Sequence, residues 1–478
     1  MGKYLTYRLF DVKYFLLFIS VLGLFSCNRV KEINKSGIIC IPVPDDLERI
    51  KESGVLKAAV DYNSTNYFVY RGKPMGFKYD LLQALAKDLG VDLEIVVSNN
   101  LSESFEGLKN NRFDLIAKNL TVTQQRNREI DFTVPIEQTS QVLVQRQKEA
   151  KTDESHFVHT TLELAHKKVY IQKNTSYYER LINLSEEIGN PIEVIEDSVF
   201  GVEQLISLVA KGEIDYTVCD ENVARLNQMY YPNLDVSVKV SFPQNIAWAV
   251  RKGSDEWKAY LDNWINGVKG SSKYNILYHK YFESPRTKAR MGSEFHSING
   301  GKISIYDKLI KELSKKYNWD WRLISSIIYQ ESRFNPEAGS WAGAYGLMQI
   351  MPGTAESLGI ENFKEPEQNI KSGILMLNWL NKHFQESIPD STERVKFVLA
   401  SYNIGLGHVI DAQRLADKFG KDRLIWDDNV DYFLRNKSTE KFYKDPVVRF
   451  GYCRGEEAVN YVKKIITNYN HYLNVIPE

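Results

Sequence analysis

The sequence predicts a multidomain chain, an α/β region over residues 47–283 followed by a mainly α region over 304–478. Three observations support this. Short apolar runs of strand length alternate with helical periods up to about Phe282. Residues 284–303 are rich in Ser, Gly and basic residues and lack a periodic apolar face, which reads as an interdomain linker. From Ser304 onward the apolar spacing turns helical. The length of 478 residues suits about three units of ~150. With 43% hydrophobic residues the chain can build cores, which argues against a disordered protein.

Taken in order, Val55–Val60 reads as a strand and Asp80–Leu89 as a helix stopped by Gly90. Leu93–Val97 is a strand, Phe105–Lys109 a helix and Phe113–Ala117 a strand. This repetition implies a largely parallel sheet with helices on both faces. Such sheets bind ligands at the carboxyl ends of their strands. The chain is expected to leave a first lobe near Gln145, form a second to about Val236 and return near Ile246–Val250. Tyr306–Tyr317 is amphipathic, and Asp320–Gln330 places Leu323, Ile324, Ile327 and Ile328 on one face. Glu331 lies three and four residues beyond Ile328 and Ile327, so it falls on the same stripe. A carboxyl there loses hydration and its pKa rises, as a general acid requires. The same spacing also fits a buried Glu paired with Arg333 or Arg322. Pro336 ends the helix soon afterwards. Gly339–Ile350 is a Gly-punctuated loop with aromatics, able to wrap a carbohydrate, and Pro352 opens the next helix.

Composition narrows the function. Lys plus Arg and Asp plus Glu are 61 each, so the chain has no net charge. Without a basic stripe either, nucleic acid is excluded as a partner. The four cysteines, Cys27, Cys40, Cys219 and Cys453, show no Cys/His metal spacing. No metal, cofactor or essential disulfide is expected. Lys3, Arg8 and Lys13 precede the apolar run Tyr14–Phe25, which is shorter than the ~18 residues of a spanning helix. Residues 1–26 therefore read as a secretory signal. Leu24-Phe25-Ser26-Cys27 resembles a bacterial lipobox, which implies cleavage before Cys27 and lipid on that cysteine. The other reading is a short uncleaved anchor. Residues 27–46 form the lipidated cysteine and a tether, where Pro42 and Pro44 discourage helix. Asn28 in place of Asp resembles the enterobacterial signal for the outer membrane. The expected location is the periplasmic side of the envelope.

Two family resemblances follow from ordered motifs. Gly76–Leu82 (GFKYDLL), Leu120–Arg126 with Ile130–Pro135, and Ile214–Asp220 resemble family 3 extracellular solute-binding proteins over residues 50–270. The resemblance implies a two-lobed periplasmic-binding-protein clamshell holding an amino acid or small peptide. Arg126 would grip an α-carboxylate with Thr121, and Thr175 and Ser176 would add a helix N-terminus. Asp220 would accept from an α-ammonium. Arg126 and Asp220 also suit ordinary surface or inter-lobe charges, and Arg128 lies close enough to take the binding role.

Glu331–Pro336 (ESRFNP), Gly346–Pro352 (GLMQIMP), Ala400–Gly405 (ASYNIG) and Glu457–Val462 (EAVNYV) resemble, in order, the lysozyme-like lytic transglycosylases over residues 305–473. The whole arrangement is similar to the membrane-bound lytic murein transglycosylase F family. The resemblance implies a mainly α lysozyme-like domain that cleaves the MurNAc–GlcNAc β-1,4 bond of peptidoglycan without water. Glu331 would be both acid and base. Met348 and Gln349 would line the cleft, Tyr402 and Asn403 would shape the sugar site, and Tyr461 would hydrogen-bond near the acid. Most glycoside hydrolases need two carboxyls, and the acid motif Glu331–Pro336 holds no second one. Two other functions fit the sequence: a receptor whose lysozyme-like domain binds without cleaving, and a hydrolase that uses water.

Overall fold

The computed structural model describes residues 45–148 and 156–477. The leader, Cys27 and the tether up to residue 44 lie outside the described residues. The α/β region forms two main sheets, one in each lobe, and a separate two-stranded ladder. Strands are β1 (Val55–Val60), β2 (Phe68–Tyr70), β3 (Lys73–Met75), β4 (Asp92–Val97), β5 (Leu115–Thr121), β6 (Ile130–Phe132) and β7 (Glu137–Thr139). They continue as β8 (Gln141–Arg146), β9 (Lys168–Gln172), β10 (Glu193–Asp197), β11 (Tyr216–Asp220), β12 (Leu234–Asp235) and β13 (Gln244–Arg251). Lobe one has the order β4-β1-β5-β13-β6, with β7 also on β13, and lobe two has β10-β9-β11-β8-β12. In each lobe the βαβ strands pair in parallel and the crossing strand, β13 or β8, joins antiparallel.

The crossing into lobe two falls between Thr139 and Gln141, earlier than the expected Gln145. Gln145 is already inside a lobe-two strand, where its amide donates to the Val158 carbonyl and accepts from the Val158 N–H. Sequence reading places the crossing late because β7 and β8 run together with only Ser140 between them.

Residues 284–303 do not form the expected linker. Pro285–Met291 is a helix capped by Ser284, and Thr287, Arg290, Met291, His296 and Ser297 are buried. The buried groups are mostly polar, so no apolar period marks them. Arg290 donates to the Lys280 carbonyl and to Thr287, and His296 stacks on Phe68 of lobe one at 4.3 Å.

In the helical region, Trp321–Ser332, Pro366–Gln385, Ser391–Ile404 and Gly455–Val475 pack around one core. Asp320 and Asp390 cap their helices by accepting from Arg322 N and Thr392 N, and Pro366 opens its helix. Trp321–Ser332 ends before Pro336, because Arg333 (φ 53°) and Phe334 (φ 62°) are both left-handed. Glu331 therefore sits in the last turn.

The core of lobe one is continuous with that of the helical region. At its junction the imidazole of His471 bridges the hydroxyls of Tyr67 (2.7 Å) and Tyr79 (3.3 Å). Burial lowers the His471 pKa to about 4, so the ring is neutral at pH 7. Asn474 donates to the Ile95 carbonyl (3.1 Å), and Tyr472 donates to the Gly72 carbonyl (2.8 Å). Gly72, at the β2–β3 turn, has φ +75°, and a Cβ there would lie 2.8 Å from the Tyr472 hydroxyl and 2.9 Å from the Tyr329 ring. Gly72→Ala should destabilise the chain by about 1–3 kcal/mol. Urea unfolding followed by tryptophan fluorescence checks this, and an unchanged midpoint would show that the junction yields freely.

Candidate active site and ligand cleft

Glu331 is brought to its position by the apolar stripe that precedes it. Ile324, Ile327 and Ile328 are fully buried, and the stripe carries the carboxyl inward with them. Its hydrogen-bond partner is the Tyr461 hydroxyl, which donates to Oε1 at 2.5 Å. Arg322 pairs with Asp320 (2.8 Å) and Arg333 is exposed, so the acid is not held by an arginine. Burial raises the Glu331 pKa to about 7, and the Tyr461 bond opposes the rise. Among the described residues no second carboxylate acts on it. Burial also pushes the Tyr461 hydroxyl well above its ordinary range, so it stays a donor.

The cleft wall is a small hairpin. Gly339 bridges Tyr345, and Tyr345 bridges Ile350. Ser332, next to the acid, donates to the Leu347 carbonyl at 2.8 Å and ties helix to hairpin. Tyr402 donates to the Met348 carbonyl at 2.8 Å. Asn403 is exposed beside it. Two expectations need correction. The Met348 side chain is fully buried rather than lining the cleft, packed so closely on Gly373 that a Cβ there would meet its sulfur at 2.3 Å. Gln349 has a left-handed backbone (φ 50°) and turns its amide inward to donate to the Ala338 and Gly346 carbonyls, both at 2.9 Å. Both residues therefore shape the wall from behind.

Sequence reading missed Asn369. This fully buried amide accepts from Met348 N and donates to the Tyr345 and Phe363 carbonyls. Gly346 (φ +83°) must be glycine, because a Cβ would fall 2.4 Å from that amide. The only sequence signal for Asn369 is a polar residue on the apolar face of a helix.

Of the residues expected to bind solute, Thr121, Arg126, Thr175 and Ser176 meet at the seam between the lobes, while Asp220 lines a different cavity from Arg126. Thr121 on β5 meets Ser176 of lobe two at 3.0 Å. Arg126 is half-buried while Arg128 is exposed, so Arg126 is the arginine that faces the cleft. It donates to the carbonyls of Thr121 (3.1 Å) and, across the cleft, Asn174 (3.4 Å). Thr175 donates to the Gln172 carbonyl and precedes the helix Ser176–Ile188. Asp220 ends β11, 3% exposed, and receives the Tyr177 hydroxyl. Its pKa rises to about 7, first through burial and then through the charges of Glu137 and Asp61.

The lobes are closed on each other. Glu203 of lobe two accepts from the Ser64 N–H and hydroxyl of lobe one, and Asn174 donates to Ser102. A cavity of about 490 Å³ remains, lined by Asp61, Lys118, Glu203 and Asp220 among others. Arg126 opens instead onto a neighbouring cavity of about 260 Å³, and Thr175 borders both. Sequence reading missed Asp61, Lys118 and Glu203. A lysine within the otherwise apolar β5 (LIAKNLT) was the available signal.

Two family models match this chain, one after the other along it. A family described as bacterial extracellular solute-binding proteins, family 3, matches residues 56–284. The transglycosylase SLT domain matches residues 308–425. The crystal structure of a mutant of ArgBP from T. maritima is 26% identical, covers 50% of this chain and 100% of that chain, and has a TM-score of 0.44. The membrane-bound lytic murein transglycosylase F of Desulfosudis oleivorans is 35% identical over 89% of this chain and 91% of its own length. That of Pseudomonas fluorescens strain Pf0-1 is 32% identical over 90% and 87%.

The Glu331 carboxyl gives two predictions. Its pKa is raised above the unfolded value of 4.5, so its ionisation costs stability as pH rises from there through about 7. Glu331→Gln should therefore raise the melting temperature more at pH 8 than at pH 5. An equal shift at both pH values would contradict the burial. Tyr461→Phe removes the bond that lowers the pKa, so the alkaline limb of activity should move up in pH and the rate should fall about tenfold. A pH–rate profile with an unmoved limb would show that this bond does not act on the acid. With its two family modules in order and this similarity over nine-tenths of its length, the chain belongs to the membrane-bound lytic murein transglycosylase F family.

Proposed function

We propose that this lytic transglycosylase cleaves the MurNAc–GlcNAc β-1,4 bond of peptidoglycan and leaves 1,6-anhydroMurNAc ends. The observation that supports this most is the solitary Glu331, with a pKa near 7 and a hydroxyl on one oxygen. Glu331 protonates the leaving glycosidic oxygen. The carboxylate left behind is held by Tyr461 and takes the proton from the MurNAc 6-hydroxyl, which closes on C1. Proton given and proton taken balance on one group, and no water is consumed. A hydrolase would need a second carboxyl to activate water. Tyr402 and Asn403 border the sugar site, and Met348 and Gln349 set the shape of its wall.

The clamshell takes an amino acid or small peptide. A carboxylate reaching Arg126 replaces the long bond to Asn174, and an ammonium group fits the carboxyls of Asp61, Glu203 and Asp220. The chain is organised as a leader over 1–26, a lipidated Cys27 with its tether to residue 46, the clamshell, and the catalytic domain from 304. The lipid holds it on the periplasmic side of the envelope, at the outer membrane. Ligand binding in the clamshell regulates cleavage. Support for this coupling is the helix Gly455–Val475, which presents Tyr461 to the acid and His471, Tyr472 and Asn474 to lobe one.

Digestion of purified peptidoglycan tests the chemistry. Muropeptides one water lighter than the reducing forms are expected from the full-length protein and not from Glu331→Gln. Reducing ends would make it a hydrolase, and no products from either protein would favour a receptor. The coupling is tested with a wall peptide shown by calorimetry to bind. A cleavage rate that stays flat across its saturation range would rule the coupling out.

A further inference from the structure

Residues 447–454 connect the helix Glu440–Tyr443 to the helix Gly455–Val475 without helix or strand of their own. Their backbone is nevertheless fixed. Asp411, fully buried, accepts from the N–H groups of Arg449 (2.9 Å) and Phe450 (2.7 Å). The same carboxylate pairs with Lys437 (2.8 Å), itself fully buried, and with Arg414 (2.9 Å). Lys437 also meets His408 Nδ1 at 3.0 Å. At the far end, Gly455 packs so closely on the helix Asp431–Asn436 that a Cβ would lie 1.7 Å from the Leu434 carbonyl oxygen. The buried Asp411 carboxylate thus bonds two backbone groups of the segment and two cations at once.

What this anchored segment presents is two uncovered rings. Phe450 is 56% exposed and Tyr452 is 55% exposed. Phe450 lies against the backbone of Gly407, where a Cβ would come within 2.6 Å of the ring. Tyr452 stands edge-on to Tyr443. Gly407 lies in the first turn of the helix Leu406–Lys418, which follows the helix of Tyr402 and Asn403 across Gly405, and the segment itself runs into the helix that bears Tyr461. Phe450 therefore packs just beyond the helix that carries Tyr402 and Asn403, and both rings lie within eleven residues of Tyr461 along the chain. Exposed, rigid aromatic faces match the apolar C–H faces of pyranose rings.

We propose that Phe450 and Tyr452 form a sugar subsite that continues the Glu331 cleft past the helix break at Gly405, with the glycan strand as its occupant. Asp411 and Lys437 are its positioning residues. The subsite rests on the reading that the cleft takes peptidoglycan, but its binding is separable from cleavage.

The test is co-sedimentation of the full-length Glu331→Gln protein with purified peptidoglycan sacculi. Adding Phe450→Ala and Tyr452→Ala should weaken the apparent Kd about tenfold. Phe450→Trp with Tyr452→Phe, which keeps both faces, should retain binding, and Phe242→Ala, an exposed ring on lobe two, should leave it unchanged. An unchanged Kd in the double alanine variant overturns the proposal, as does equal loss in the variant that keeps the rings. Because the assay reads no products, its failure is distinct from a failure of the anhydro chemistry.

Discussion

The structure depends on keeping one carboxyl out of water. In water Glu331 would be ionised at neutral pH and could not protonate a glycosidic oxygen. Burial in the last turn of its helix raises its pKa to about 7, and the Tyr461 hydroxyl restrains that rise. The two effects oppose each other, which leaves both protonation states accessible near neutrality. The acid-then-base role proposed for Glu331 needs that balance. The neighbouring contacts preserve it. Ser332 fixes the helix end to Leu347, Tyr402 fixes Met348, and Asn369 closes the hairpin from behind. None of these touches the proton, yet each limits how much water can reach the carboxyl.

The C-terminal helix Gly455–Val475 makes that local arrangement depend on the other half of the chain. Tyr461 and His471 are ten residues apart on it, about 15 Å along its axis. One end holds the acid's hydrogen bond and the other is bonded into lobe one through Tyr67 and Tyr79. Lobe one also reaches the glutamate helix directly, since Gly72 packs between Tyr472, Tyr329 and Phe334. Tyr329 and Phe334 flank Glu331 by two and three residues. Lobe one thus contacts the helical region on both sides of the acid.

How much of this was readable in the sequence follows from the range of the interactions. Glu331 was readable because helical spacing alone puts it on the stripe of Ile327 and Ile328. Gly90 and Pro352 were readable because their conformational preferences are local. Asn369 was not, since its partners are backbone groups more than twenty residues away at Tyr345 and Met348. Glu203 was not, because Ser64 lies in the other lobe, 139 residues earlier. The inward turn of Gln349 was hidden by its left-handed backbone, which glycine or asparagine would have announced. Residues 284–303 were misread because Arg290, Thr287 and His296 are buried by mutual bonding and stacking rather than by apolar periodicity.

Two carboxyls among the described residues have their pKa raised to about 7, and the different causes imply different work. Glu331 is raised by burial alone, with a neutral hydroxyl as its partner. Its proton can leave and return without rearranging other charges, which suits transfer to and from a sugar. Asp220 is raised by burial and by the company of Glu137 and Asp61. Its neighbours resist its ionisation, and Lys118 is bonded to Asp61 rather than to it. A cation entering that cavity would lower the energy of several carboxylates at once, and ionisation of Asp220 would follow its arrival. An isolated buried acid is built to exchange a proton, whereas a buried acid among acids is built to hold a positive charge. The same shift thus separates the proposed catalytic centre of this chain from its proposed ligand cleft.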